Sequence, residues 1–101
     1  MSLILKSQSL TKQWDYSEDN WLLQGGNSSQ RKSDGKVVSF DCQIYLIDEV
    51  DSEVETFVGT ANGHLENDVL KTNINGLTIS QLAEISHIID NLIAAIEAVD
   101  A

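Results

Sequence analysis

The feature that most constrains this chain is an apolar stripe near its C-terminal end. Between residues 82 and 99, aliphatic side chains recur at spacings of three and four, the repeat of one helix face. The stripe consists of Leu82, Ile85, Ile89, Leu92, Ile96 and Val99, widened by Ile88, Ile93 and Ala95. The opposite face carries Glu84, His87, Asp90, Asn91 and Glu97. Thr78 and Gln81 have the spacing of a capping box, so the pattern predicts a helix over about 79–99.

Alternation with a period of two dominates the middle of the chain. In 36–47, one face carries Val38, Phe40, Cys42, Ile44 and Leu46. Asp34-Gly35 precedes this strand and predicts a two-residue type I′ turn. The partner strand is expected over 28–33, and back to Trp21 past a bulge at Gly25-Gly26.

Further strands are predicted on both sides of this hairpin. Segment 53–61 alternates and follows a loop at 48–52. Asn62-Gly63 predicts a second type I′ turn, after which 64–66 begins a return strand. Segment 67–75 is a weaker strand candidate, and 3–10 is expected to be an N-terminal strand.

These elements indicate an α+β fold, an antiparallel β-meander of five or six strands covered by one long C-terminal α-helix. The sheet needs a cover for its apolar face, and the helix stripe is the obvious candidate. A chain of 101 residues with 42% hydrophobic residues has material for one core, so we expect a single domain over 1–101.

The charge balance is strongly acidic and uneven. The formal net charge is −10, and the second half, from residue 51, carries nine acidic residues and only Lys71 as a base. Such a field repels nucleic acids and anionic membranes and favours a basic protein partner, although it also serves solubility. No apolar run reaches the roughly 20 residues of a membrane span. With one cysteine and no secretory signal, we expect a cytoplasmic protein without nucleic-acid or membrane partners.

The sequence contains none of the common nucleotide-binding, zinc-binding or hydrolase signatures. Cys42, His64 and His87 are too few for a zinc site, and Cys42 lies on the apolar face of its strand. Both histidines are expected at the surface. We therefore predict a protein that is not an enzyme and has no cofactor or metal.

Five carboxylates fall within eight residues around the predicted loop: Asp48, Glu49, Asp51, Glu53 and Glu55. The segment lacks the glycine and the closing glutamate of an EF-hand loop. It is either a negative docking surface for a basic partner or a solvated hairpin whose charges discourage edge aggregation. In both cases these side chains should contribute little to stability.

Two smaller clusters have structural and functional interpretations. Trp14, Tyr16 and Trp21 either anchor the core or form a recognition surface; we expect Trp21 in the core and leave Trp14 open. The basic cluster Arg31, Lys32 and Lys36 is expected to be a solvated turn.

The main functional hypothesis is a small, acidic, non-catalytic protein-binding module, such as an inhibitor, an immunity-type protein or a phage-encoded antagonist of a basic partner. The alternative is a structural or assembly subunit that forms a homodimer or larger homo-oligomer through its C-terminal helix or a sheet face. A small enzyme with an unfamiliar site is the third hypothesis.

Overall fold

The computed structural model describes residues 2–5 and 11–99. Six strands form one sheet in which the spatial order is the sequence order, and each strand is antiparallel to the next. The elements are β1 (Ser2–Leu5), β2 (Thr11–Glu18), β3 (Trp21–Gln30), β4 (Val37–Ile47), β5 (Glu55–Glu66), β6 (Val69–Asn75) and α1 (Ile79–Val99). The predicted α+β meander with a C-terminal helix is confirmed.

Helix α1 covers one face of the sheet. The predicted stripe is confirmed by burial, since Ile85, Leu92 and Ile96 have no exposed surface. They share a core with the sheet residues Trp14, Tyr16, Trp21, Leu23, Val37, Phe40, Cys42, Ile44 and Ala61. Full burial of a large aliphatic side chain contributes about 1.5–3 kcal/mol, so the helix and the sheet depend on each other for stability. No helix in the described part of the chain has the length and apolar character of a membrane span.

The start of α1 matches the capping prediction. The Thr78 N–H donates to Gln81 Oε1 at 2.9 Å, and the Gln81 N–H donates to Thr78 Oγ1 at 3.2 Å. Two residues assigned to the polar face are placed differently. Asn91 and Glu97 are partly buried along the flank of the helix, where both bond to the sheet.

The predicted turn at Asn62-Gly63 is wrong. Strand β5 runs straight through it, and Phe40 of β4 pairs with Gly63. A Cβ at Gly63 would collide with the Phe40 ring, so the glycine provides room for an aromatic side chain. The chain turns instead at Asn67-Asp68, where both residues have positive φ (53° and 63°), as a type I′ turn requires.

The β3–β4 connection also differs from the predicted two-residue turn. Strand β3 ends at Gln30, and a loop over 31–36 follows, closed by a bond from the Gly35 N–H to the Arg31 carbonyl at 2.8 Å. Gly35 has a φ of 73°, whereas Asp34 does not have positive φ. A register shift at the start of β4 buries Val37 (1% exposed) and leaves Val38 half-buried, the reverse of the predicted faces.

At the N-terminal side, the structure adds a strand that the sequence analysis did not assign. Strand β2 carries Trp14 and Tyr16, and both are buried together with Trp21. All three aromatic residues therefore belong to the core and do not form an exposed recognition surface. The predicted bulge after Gly25 is confirmed by the register shift between Gly25 and Asn27. Of the strand predicted over 3–10, residues 6–10 lie outside the described residues.

Candidate functional site

The acidic loop, residues 48–54 between β4 and β5, lies at one end of the sheet. Asp48 Oδ1 accepts hydrogen bonds from the backbone N–H groups of Val50 (2.8 Å) and Asp51 (3.0 Å). These bonds lower the pKa of the Asp48 carboxyl because they stabilise its ionised form. The Asp48 N–H also donates to the Val54 carbonyl at 2.9 Å. Asp48 therefore shapes the loop as well as charging it.

The other four predicted carboxylates have different roles. Asp51 Oδ1 accepts from the Glu53 N–H at 3.1 Å, which fixes the second half of the loop. Glu49 Oε1 accepts from Asn20 Nδ2 at 3.0 Å and thus faces the neighbouring β2–β3 turn. Glu53 and Glu55 are exposed, and within the described part of the chain their carboxylates accept no hydrogen bond. All five predicted residues lie at the same end of the sheet. The carboxylates of Asp48, Glu49 and Asp51 accept hydrogen bonds that hold the local structure, whereas those of Glu53 and Glu55 do not.

The β2–β3 turn at Asp19-Asn20 lies against this loop. The Ile47 N–H donates to the Asn20 carbonyl at 2.7 Å, so the end of β4 is joined to this turn. Together with the first half of α1 they enclose a cleft of about 480 Å³. We call this the acidic cleft, and it is lined by Glu18, Asp19, Asn20, Trp21, Leu46, Glu49, Ala83, Glu84, His87 and Ile88.

Glu18 is held rigidly at one wall of the acidic cleft. The Tyr16 hydroxyl donates to Glu18 Oε1 at 2.7 Å, and Asn91 Nδ2 of the helix donates to both carboxylate oxygens at 3.0 and 3.1 Å. The Tyr16 bond, followed by the Asn91 bond, lowers the pKa of Glu18. Burial, and secondarily Glu18, raises the pKa of Tyr16, which remains a donor. The charge at Glu18 is therefore fixed in place.

The indole of Trp21 joins the sheet to the helix across the acidic cleft. Trp21 Nε1 donates to Glu84 Oε2 at 3.3 Å, although the ring itself is 4% exposed. His87 lies one helical turn further on and is exposed, as predicted. Sequence reasoning missed Glu18, Asp19 and Glu84 as neighbours of the loop. Residues 18, 49 and 84 are far apart in sequence and come together only in the folded chain. The aromatic residues of the Trp14–Trp21 segment were the only sequence feature that drew attention to this region.

The basic cluster occupies the opposite end of the sheet. Arg31 pairs with Asp34 at 2.6 Å and with Asp68 of the β5–β6 turn at 3.3 Å. The Arg31 bond, with the Lys36 N–H, lowers the pKa of Asp34 to about 2. Lys32 and Lys36 are exposed in the same loop. This cluster is a solvated loop crossed by ion pairs, as expected.

A shallow depression of about 450 Å³ lies on the open face of the sheet. Its polar lining comes from three neighbouring strands: Gln24, Asp41, Gln43, Thr60 and Asn62. Tyr45 donates to Gln43 Oε1 at 2.8 Å and stacks edge-on against Phe57, with ring centroids 5.6 Å apart. With one carboxylate among five polar side chains, this depression has far less charge than the acidic cleft.

The side chains considered for catalysis are placed apart. Cys42 is 5% exposed, and burial raises the pKa of its thiol to about 12, so it is a protonated core residue. His64 is exposed in β5 and lies 3.3 Å from Glu66 Oε2. Among the described residues, no three His, Cys, Asp or Glu side chains have an arrangement that could hold a metal ion.

Comparisons with protein-family models, with curated proteins and with solved structures find no match to this chain.

Proposed function

We propose that this chain is a non-catalytic protein-binding domain whose acidic end docks a basic surface of a protein partner. The observation that carries the proposal is the acidic cleft. Carboxylates from β2, the β4–β5 loop and α1 converge there, so three separate elements present one negative surface. Inhibitors and immunity-type proteins that mask a cationic surface are the functional class that this arrangement fits.

The separation of charge along the sheet supports an oriented approach. Strand β4 has 11 residues, so the acidic loop at its end lies roughly 35 Å from the Arg31–Lys36 loop at its start. A partner with a positive patch is attracted to the acidic end more strongly than to the opposite end, where Arg31 is paired with Asp34 and Asp68. Such complementarity acts mainly on the association rate and on its salt dependence.

The alternative, self-assembly through the helix, loses its most obvious surface. The apolar stripe of α1 is packed against the chain's own sheet, and Ile85, Leu92 and Ile96 are fully buried. An assembly role would instead use an edge of the sheet.

The test compares two double variants that remove the same charge. Asp19→Asn with Glu84→Gln neutralises two exposed carboxylates that line the acidic cleft, and Glu84→Gln keeps an acceptor oxygen for Trp21 Nε1. Asp41→Asn with Asp90→Asn removes two exposed charges from the open sheet face and from the helix. A partner is first identified by cross-linking, and its association rate is then measured against ionic strength.

We expect the first variant to slow association and flatten its salt dependence, while the second behaves like the parent. Equal rates for both variants would remove the acidic end as the docking surface. A metal- or substrate-dependent activity in the purified chain would overturn the non-catalytic assignment.

A further inference from the structure

Strand β6 forms one edge of the sheet. It pairs with β5 along its whole length, from Val69 opposite Glu66 to Asn75 opposite Thr60, without a register shift. In the described part of the chain, no strand lies on its other side. Alternate backbone N–H and C=O groups of an antiparallel edge strand point away from the sheet, so β6 offers a row of unpaired donors and acceptors.

This edge has little of the usual protection. Natural edge strands are blunted by proline, bulges, short length or charged side chains, lysine above all. Strand β6 has seven residues, no proline and no bulge. Its one charge, Lys71, points to the turn and pairs with Glu66 at 3.6 Å. Val69 is 58% exposed, so an apolar side chain also lies at this edge.

The charge pattern makes a second copy the fitting occupant. The chain has sixteen acidic residues, yet none falls between 69 and 75. Two copies with a net charge of −10 repel each other over most of their surfaces. Along β6 they can approach without bringing carboxylates together. A basic partner, in contrast, has nothing to attract it there.

The side-chain pattern of β6 favours a register centred on Thr72. Leu70 and Ile74 are partly buried beside the core, and Ile74 pairs with the core residue Ala61. In an antiparallel self-pairing centred on Thr72, Leu70 lies opposite Ile74 of the second copy, and Lys71 lies opposite Asn73. A centre at Lys71 would place two like charges directly opposite each other, which destabilises a strand pair.

We propose that β6 pairs with β6 of a second copy, antiparallel and centred on Thr72. The two sheets become continuous, both helices lie on the same side of the joined sheet, and the apolar row of Leu70 and Ile74 extends across the interface. Pairing through one seven-residue strand buries little surface, so the dimer dissociates on dilution. This interface lies away from the acidic cleft and is independent of the proposed docking.

Light scattering behind size-exclusion chromatography, over a series of protein concentrations, tests the proposal with the chain alone. The mass should rise from 11.1 kDa towards twice that value as concentration increases. Thr72→Lys adds like charges at the two-fold axis and should abolish the rise. Gln43→Lys adds the same charge on β4, in the middle of the sheet, and should preserve it.

Hydrogen exchange of the parent provides a second readout that needs no variant. The β6 amide protons should exchange more slowly at high concentration, whereas those of the acidic loop should not change. A mass of 11.1 kDa at every concentration would refute the pairing. A dimer that persists in a folded Thr72→Lys variant would place the interface elsewhere and equally refute it.

Discussion

Glu97 accepts a hydrogen bond from the backbone N–H of Val37 at 2.8 Å, and this bond ties the last turn of α1 to the first residue of β4. The register shift between β3 and β4 lies at this point. Glu97 therefore supplies a side-chain acceptor for the Val37 N–H where the strand pairing is irregular. At the other end of the same helix flank, Asn91 bonds to Glu18. With the Trp21–Glu84 bond nearer the start of the helix, these polar contacts fix the position of α1 on the sheet.

Glu97→Ala is expected to lower the free energy of unfolding by about 1–3 kcal/mol, because the Val37 N–H loses its charged acceptor in a buried position. Removing a negative charge from the last helical turn should stabilise the helix by only about 0.3–1 kcal/mol, so the net effect of the substitution is destabilising. Glu97→Gln keeps an acceptor oxygen and should lose less. Urea denaturation measures the free energy of unfolding of both variants. Equal losses would show that the charge of Glu97, rather than its hydrogen bond, stabilises the fold.

Leu92→Ala should cost about 2–5 kcal/mol, the range for truncating a large buried side chain. Leu92 is fully buried in the middle of the helix stripe. Ala94, two residues further, is exposed, so Ala94→Lys should change stability by no more than about 0.5 kcal/mol. Thermal melts of the two variants test the packing of α1, and equal shifts would contradict it.

Acid should destabilise the fold partly through Glu18. Its folded pKa lies below the ordinary value of about 4.3, so its contribution is present at neutral pH and is lost as pH falls below that value towards the folded pKa. Melting temperatures measured from about pH 5 to about pH 2 should fall less steeply in Glu18→Gln than in the parent. Tyr16→Phe removes the main cause of the lowered pKa of Glu18 and should also reduce the dependence of the melting temperature on pH. An unchanged pH dependence in both variants would show that Glu18 does not contribute to acid destabilisation.

The five carboxylates of the acidic end should separate into two classes in mutagenesis. Asp48→Ala is expected to lower the melting temperature, because two backbone N–H groups lose their acceptor. This differs from the sequence-based expectation that all five contribute little to stability. Glu53→Gln and Glu55→Gln should leave the melting temperature unchanged or slightly higher, since they relieve like-charge repulsion. A stable Asp48→Ala variant would contradict the role of Asp48 in the loop.

Local patterns determined much of this protein in advance. The helix follows from the spacing of Leu82 to Ile96, and its start follows from Thr78 and Gln81, because helical repeat and capping depend on residues within a few positions. Strand alternation likewise placed Phe40, Cys42 and Ile44 in the core. The acidic loop was also predicted at this place, although it extends to Val54 rather than ending at Ser52, and the bonds that Asp48 makes there were not foreseen.

Tertiary contacts decided the rest. Asn62-Gly63 has the composition of a turn, but the Phe40 ring on the neighbouring strand needs the space of Gly63, and β5 therefore continues. Val37 rather than Val38 enters the core because a register shift displaces the alternation. The acidic cleft gathers residues 18, 49 and 84, which are far apart in sequence. Short-range patterns carry no information about such meetings, since they depend on how the strands align and where the helix crosses them.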